Sequence, residues 1–431
     1  MEATQAVGGD QPDDVFLAAV VPLYRRDQEA GVKFKRTELN EMEHYADVVV
    51  LGGGMAGSCI AKALADRQWE TALIDRQTFP RHKVCGEFLS PEAQSTLHAL
   101  GLTETVAALH PQRIERARLI FEHGGEIELP IPGAAWGLSR YTMDEALHSA
   151  ALQAGAQLHL STTVTGIEQH GKGYTVRTKQ GANMSLFHAR AVIAAWGANS
   201  RVAHTGHRLN AADSGQQAYI GVKTHYDGLT MEPVIEMYFF RGGYLGLCPI
   251  EDGRVNAAAL LSRSEFAKAG KSVLSILETA IQRNRRLAAR LATAVPSPGT
   301  QAAIAPVYLQ RKPTPWDGFP RLGDASAMIA PLCGDGMSMA LRSAALCAPL
   351  ADSYLRGNLS LQDWEQRFTH AILREFSGPL RWGSVLQWIM GKPVTQQLLP
   401  IAARIAPVLA NGLVQATRLK PLETLEFYSK R

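Results

Sequence analysis

The stretch VVVLGGGMAGSCIAKALADRQWETALIDR, residues 48–76, decides the fold. It opens on the apolar run Val48-Val49-Val50-Leu51, turns through glycines, enters a helix from Gly57 to Arg67 and returns in a second apolar strand, Thr71 to Ile74. That is the first half of a mononucleotide-binding fold. Gly52 permits the tight turn, Gly54 lets the backbone approach a pyrophosphate, and Gly57 lets helix and strand pack closely. Asp75 ends the second strand 18 residues after Gly57, where a carboxylate can accept both hydroxyls of an adenosine ribose. A lone glycine triplet would be weak evidence. Strand, helix and acid together predict a dinucleotide site built on Gly52, Gly54, Met55, Ala56, Gly57 and Asp75.

Outward from this unit, the 431 residues, 46% hydrophobic and 19% charged, suffice for a substantial core or two fused lobes. Residues 1–41 are polar with a short apolar patch from Val15 to Leu23, and are expected to form a poorly ordered extension; Met42 is a candidate start. A helix is expected over Pro91 to Leu100 and a strand pair over Arg118 to Leu129 around Gly124-Gly125. A helix from Thr142 to Ala154 should close at Gly155. Strands at Gln157–Thr163, Gly166–Gln169, Tyr174–Lys179 and Ala191–Ala195 form a meander that returns to a parallel strand. From about 206 the character changes: strands at Ala218–Thr224, Glu236–Phe240 and Asn256–Leu261 precede a helix over Ser272–Ala294, and Pro296–Thr300 is a linker. The expected fold is α/β (α+β), with a discontinuous Rossmann-like domain (42–112, 136–205 and 301–375). A mostly-β substrate domain (113–135 and 206–300) is inserted in it, and a helical cap (376–431) follows.

Two further motifs lengthen the ligand. In RLGDASAMIAPLCGDGMSMALRSA, residues 321–344, Asp324 offers a carboxylate to a second hydroxylated chain. The small-residue loop Pro331 to Gly336 then enters a helix at Met337, placing N–H groups and a positive helix end where the electron-rich edge of a reduced isoalloxazine would sit. An adenosine site needs only the first motif, so the pair favours FAD over NAD. The third motif, AVIAAWGANSRV at 191–202, is a strand followed by Trp196-Gly197 and Ser200-Arg201, and by itself also reads as a simple strand exit.

In this order the motifs resemble the superfamily of aromatic-hydroxylase-type flavoprotein monooxygenases, geranylgeranyl reductases and flavin-dependent halogenases, over roughly Ala46 to Arg374. The runs PRHKVCGEFLSP (80–91) and PLCGDGM (331–337) look like the reductase branch. The resemblance implies an FAD site that includes Cys85, Gly86, Gly197, Asp324, Pro331, Gly334, Asp335, Gly336 and Met337. It also implies Arg76 and Arg140 at the phosphates or ribityl chain, as bidentate guanidinium chemistry suits. Cys85, Glu87 and Tyr244 are the polar residues expected near the flavin ring, although Cys85 also reads as an inert core thiol. His82 reads as a phosphate-facing or an exposed loop histidine. Aromatic hydroxylases carry Asp-Gly at the third motif; here Trp196 stands in its place, which leaves the docking of NAD(P)H open. GYLGLCPIED (243–252) is not the Trp-x-Trp-x-Ile-Pro motif of halogenases.

A net charge of +4 argues against a nucleic-acid surface. Five widely spaced cysteines without a CxxC pair argue for reduced thiols in the cytoplasm and against a metal site. From Phe376 to Leu422 there is no Asp or Glu, whereas Arg381, Lys392, Arg404, Arg418 and Lys420 stand among Trp382, Trp388 and aliphatic residues. Helices of this kind rest on an anionic bilayer or cap their own core, so peripheral contact with the inner face of a membrane through 377–422 is an expectation. The leading reading is an FAD-dependent, NAD(P)H-driven monooxygenase of a lipophilic small molecule such as a polyketide, isoprenoid or alkylated aromatic. Double-bond reduction is the alternative, and a flavin-binding sensor or structural flavoprotein without turnover is the alternative of another class.

Overall fold

The computed structural model describes residues 42–123, 125–198, 217–309 and 312–392, together with 395, 397–399, 412 and 415–422. The expected extension 1–41 and the Ser200-Arg201 end of the third motif lie outside the described residues.

The chain opens with β1 (Met42–Leu51), α1 (Met55–Ala65) and β2 (Thr71–Ile74). Val48, Val49 and Val50 are completely buried, as a parallel strand covered on both faces requires, and β2 lies beside β1 with Val48 opposite Thr71. After the two-residue strand β3 (Phe88–Leu89) come α2 (Ala93–Ala99), α3 (Thr103–Ala107) and the hairpin β4 (Gln112–Phe121) with β5 (Glu126–Gly137). Helix α4 (Arg140–Gln153) and β6 (Gln157–His159) return the chain to the first sheet, and β7 (Thr163–His170), β8 (Gly173–Gln180) and β9 (Asn183–Ala194) form the expected meander. The sheet order is β6-β2-β1-β9-β8-β7. β9 pairs parallel with β1 from Met42↔Ser185 to Leu51↔Ala194, so the first strand starts four residues before Ala46. The expected strand Gln157–Thr163 is broken because Ser161 takes a left-handed φ of 55°, which ends one strand and re-aims the chain for the next.

The second sheet contains β10 (Tyr219–Asp227), β11 (Val234–Phe240), β12 (Gly243–Pro249) and β13 (Val255–Ser262). Helices α5 (Val273–Ile281) and α6 (Arg285–Arg290) cover it before β14 (Val295–Pro296) and β15 (Ala302–Val307). Its order is β14-β10-β13-β12-β11-β4-β5-β3, with β15 also paired to β10. The single helix expected over Ser272–Ala294 is two helices, because the Asn284 side chain accepts from the N–H groups of Arg286 and Leu287 and starts a new one. Residues 302–307, placed with the nucleotide half from sequence, join the second sheet through β15. So does Phe88-Leu89, opposite Trp136-Gly137. Part of the expected linker, Pro296, is paired in β14.

Helices α7 (Gly336–Leu355) and α8 (Leu361–Met390) follow. α8 runs 30 residues without a break, so the boundary expected at 376 falls inside one helix. Trp364, Phe368, Ile372 and Phe376 are buried against the same core as α1 and α7. The fully buried Arg342 of α7 ties this assembly together. It donates to Thr96 Oγ1 at 3.1 Å, Glu375 Oε2 at 2.6 Å and the Lys420 carbonyl at 2.9 Å.

Candidate functional site

The glycine loop between β1 and α1 shows why its residues are glycines. Gly52 has φ +110°, and a Cβ there would sit 2.6 Å from the Ala195 carbonyl oxygen; a Cβ on Gly57 would lie 1.8 Å from the Gly52 oxygen. At Gly54, in contrast, a Cβ would meet nothing closer than Arg140 Nη2 and Lys83 Nζ, both at 3.8 Å. Gly54 caps α1 without a side-chain acceptor, so the first N–H groups of the helix, at Met55, Ala56 and Gly57, keep their donor capacity. Behind the loop, His148 of α4 donates from Nε2 to the Gly53 carbonyl at 2.7 Å.

Three cations converge on this opening. Arg140 is buried and fixed by Asp144, with Nε and Nη2 both 2.8–2.9 Å from its carboxylate. Burial, then Arg140, holds the Lys83 ammonium below the ordinary lysine range. Arg81 is pushed down chiefly by burial, and its Nε has no partner among the described residues. An Arg81 Nε without a hydrogen-bond partner among the described residues, a depressed ammonium, free helix N–H groups and an open space over Gly54 together call for an anion of more than one charge. A pyrophosphate fits that requirement. Asp75 accepts from Gly53 N at 2.7 Å and Gln77 N at 2.8 Å, which leaves it half-buried at the end of β2 and facing the same loop. Arg76 is exposed beyond it.

The second motif arrives beside the first. Leu322 N donates to the Ala194 carbonyl at 2.7 Å, extending β9, and a Cβ on Gly323 would lie 3.5 Å from Ala56 Cβ. Asp324 is exposed next to it. The turn Pro331–Cys333 ends at Gly334, whose φ of 74° puts it against the Phe88 ring. Asp335 caps α7 and is completely buried; neither carboxylate oxygen meets hydrogen-bond geometry with a described residue, and the Ser90 hydroxyl is the neighbour that offers it a hydrogen bond. Burial raises its pKa to about 7, against the pull of Arg418. Gly336 and Met337 begin the helix, and Met337 Sδ lies 3.4 Å from Cys85 Sγ. Gly197, at φ +79°, turns the chain after β9, and Trp196 packs edge-on to Phe319 at 5.9 Å.

The predicted polar residues separate into two places. Cys85 and Glu87 flank the exposed Gly86, and burial keeps the Cys85 thiol above its ordinary range and therefore protonated. Glu87 takes φ +55°, a strained conformation for this residue type, and is fully buried. It accepts from Lys223 Nζ at 2.8 Å and Arg140 N at 3.0 Å on one oxygen, and contacts His225 Nε2 at 2.7 Å with the other. Although burial is the largest influence on Glu87 and works upward, His225 and Lys223 outweigh it and hold the carboxyl below the usual range. Tyr244, on β12, is elsewhere: its ring packs 5.7 Å from Phe239 in an apolar cluster with Met237, Leu260, Met390 and half-buried Leu332 and Leu386. Burial raises its hydroxyl well above ten.

Sequence reasoning missed Lys83, His148, Lys223, His225 and Glu251. The last accepts from Ser139 N and Thr142 Oγ1, at 2.8 and 2.9 Å, and so fixes the start of α4 where Arg140 sits. The signal available for two of them is Lys223-x-His225, two ionisable residues on one face of the buried strand β10.

Residues 45–361 match the FAD binding domain family. The chain is 26% identical over 370 residues to digeranylgeranylglycerophospholipid reductase 2 of Methanopyrus kandleri, covering 83% of this chain and 89% of that protein. It is 28% identical over 323 residues to the menaquinone reductase of Mycobacterium tuberculosis, covering 72% and 77%. A solved geranylgeranyl bacteriochlorophyll reductase-like protein from Thermoplasma acidophilum shares the fold with a TM-score of 0.68 at 18% identity, covering 90% of this chain and 96% of that one. With an anion cradle at one glycine loop and a second loop entering α7 beside it, the chain belongs to the FAD binding domain family and is an FAD-dependent oxidoreductase.

Proposed function

We propose that the chain uses NAD(P)H to reduce carbon–carbon double bonds in a lipophilic, isoprenoid-type substrate. The observation that carries this reading is the apolar cluster of Met237, Phe239, Tyr244 and Leu260 on the second sheet. It meets Leu332 of the 331–337 loop and Leu386 and Met390 of α8, so a hydrocarbon chain inserted beside it would find aliphatic and aromatic contacts and hardly any hydrogen-bonding groups. Among the alternatives read from sequence, the Cys85-Gly86 run and Trp196 in place of an acid favour reduction, and the similarity to two lipid reductases points the same way.

FAD, when bound, supplies the hydride. The protein's part is to hold it: Gly54 and the α1 N–H groups with Arg81, Lys83 and Arg140 at the pyrophosphate, Asp75 at the adenosine ribose, Asp324 at the second hydroxylated chain, and Gly334 to Met337 at the ring. Anaerobic incubation with NADPH and a geranylgeranyl lipid tests the reading. The expected result is a mass increase of two hydrogens per double bond without oxygen uptake; substrate-dependent oxygen consumption with a hydroxylated product would overturn it. Hydroxylation is the second reading, favoured by Asp335, a buried carboxyl poised near neutrality that can give up the proton oxygen cleavage consumes.

A membrane surface is the proposed source of the substrate. On α8, Trp382, Val385 and Trp388 are exposed at 38%, 38% and 60%, and Lys392 Nζ lies 3.7 Å from the centre of the Trp388 ring. Aromatic rings beside cations suit the boundary of an anionic bilayer. No helix among the described residues is long and apolar enough to cross one.

A further inference from the structure

We propose that Glu87, Lys223 and His225 form a proton-supplying group, refilled from solvent through His82, for the protonation half of double-bond reduction. The proposal rests on the reductase reading above and assigns roles to groups outside the cofactor cradle.

The geometry contains one proton position too few. Lys223 Nζ lies 2.8 Å from Glu87 Oε1, 2.7 Å from His225 Nε2 and 3.4 Å from His82 Nδ1. His225 Nε2 is also 2.7 Å from Glu87 Oε2. An imidazole nitrogen has a single in-plane position, filled by a hydrogen or by a lone pair. With the proton on Lys223, the ammonium donates to His225 and Glu87 Oε2 lacks a donor. When that proton passes to Nε2, the imidazolium donates to Glu87 Oε2 and Lys223 is a neutral amine. The two arrangements differ only by one proton moving along a hydrogen bond. His225 Nδ1 is buried without a partner among the described residues, so proton exchange at this ring runs through Nε2.

Burial makes the arrangement consequential. The side chains of Glu87, Lys223 and His225 are all 0% exposed, where a charge that served nothing would be costly, and Glu87 holds its place in a left-handed conformation. Around the group stand Arg140 and Cys85. Burial lowers the Lys223 ammonium most, Arg140 adds to this, and Glu87 and Cys85 oppose it. An ammonium weakened in this way is a better acid than a surface lysine.

A path outward exists. His82 is half-buried, stacks on Tyr141 at 4.7 Å and meets His225 edge-on at 5.1 Å, and Tyr141 is 38% exposed. Burial first, then Lys223, His225 and Arg254, push His82 down to about 4, against Glu87. At neutral pH its ring is uncharged and passes a proton without retaining it. On the inner side, Glu87 is two residues from Cys85, whose carbonyl accepts from Asn256 at 3.0 Å and whose thiol touches Met337 at the start of α7. Lys223 and Tyr219 share one face of β10, and Tyr219 packs on the apolar cluster of Phe239 and Tyr244, so the group borders the cluster assigned to the substrate.

The step balances. The hydride that bound reduced FAD would supply accounts for one new C–H bond, and the π pair would form the second by taking a proton at the neighbouring carbon. The proton leaves Lys223 with its N–H pair retained on nitrogen, giving an amine that a solvent proton entering at His82 recharges.

The test compares FAD-loaded wild type, Lys223→Met and the double variant Glu87→Gln/Lys223→Met, which removes both charges if the single one fails to fold. Nitrogen-15 NMR of labelled histidines should show His82 titrating near pH 4 in wild type and markedly higher in Lys223→Met; an unchanged His82 would overturn the proposal without any turnover being measured. Dithionite-reduced enzyme is then mixed anaerobically with a geranylgeranyl lipid. Flavin reoxidation in Lys223→Met should slow by about 100-fold or more, with dithionite reduction unaffected. Reoxidation at the wild-type rate would sink this proposal alone, whereas wild type that the lipid never reoxidises sinks the reductase reading.

Discussion

Asp335→Asn should stabilise the FAD-free protein, and by an amount that depends on pH. Asp335 is completely buried, and burial raises its pKa from 3.8 to about 7 against the opposing pull of Arg418 and the Ser90 hydroxyl. A carboxyl raised on folding binds its proton more tightly in the native state, so stability falls as pH climbs from the unfolded value and levels off above the folded one. At about 1.4 kcal/mol per pH unit across that gap, the ionised side chain costs ~4 kcal/mol above pH 7 and nothing below pH ~4. Asparagine keeps the shape and removes the charge. Urea denaturation of both proteins at pH 4 and pH 8 measures the difference: the curves should nearly coincide at pH 4, and the variant should gain up to ~4 kcal/mol at pH 8. A loss of stability at pH 8 would refute the reasoning, because it would mean that the carboxylate is ionised and paired, with Arg418 as the partner.

Gly57→Ala should give protein with little or no flavin, since its Cβ would lie 1.8 Å from the Gly52 oxygen; the ratio of absorbance at the flavin maximum to that of the protein measures it, and wild-type loading would count against the cradle. Arg342→Met should destabilise by about 3–5 kcal/mol, because it removes a fully buried cation that binds Glu375, Thr96 and the Lys420 carbonyl at once; the denaturation midpoint reads this out. Trp382→Ala/Trp388→Ala should lower co-sedimentation with phosphatidylserine vesicles while leaving flavin content unchanged. Equal sedimentation of variant and wild type would remove the bilayer from the account.

The nucleotide half was legible because its signals are local. Strand, glycine turn and acid lie within 29 residues, and Gly52 and Gly57 answer backbone demands that no other residue meets. The second sheet was harder. β12, GYLGLCP, is apolar on both faces and shows no alternation, so period-two patterning does not pick it out as a strand. The helix over Ser272–Ala294 hid its break because Asn284 caps α6 from within an otherwise helical pattern. Sheet membership of Phe88-Leu89 and Ala302–Val307 depends on pairing partners far away in sequence. Of the candidate site, Cys85, Glu87 and Arg140 were named from motifs, but the partners of Glu87 were not. Lys223 lies 136 residues beyond it, and nothing in β10 announces that a loop carboxylate will meet its cationic face.

The route of the chain between the two sheets limits how this scaffold can be re-tailored. It passes from the first sheet to the second between β2 and β3, back between β5 and β6, over again between β9 and β10, and home once more after β15. A chimera exchanging only residues 217–309 for a relative's segment would replace most of the second sheet but keep β4, β5 and β3 at its other end. Re-tailoring the second sheet is therefore reached more readily by changing side chains along β11, β12 and β13 than by transplanting a cassette, since no pair of cuts lifts that sheet out whole.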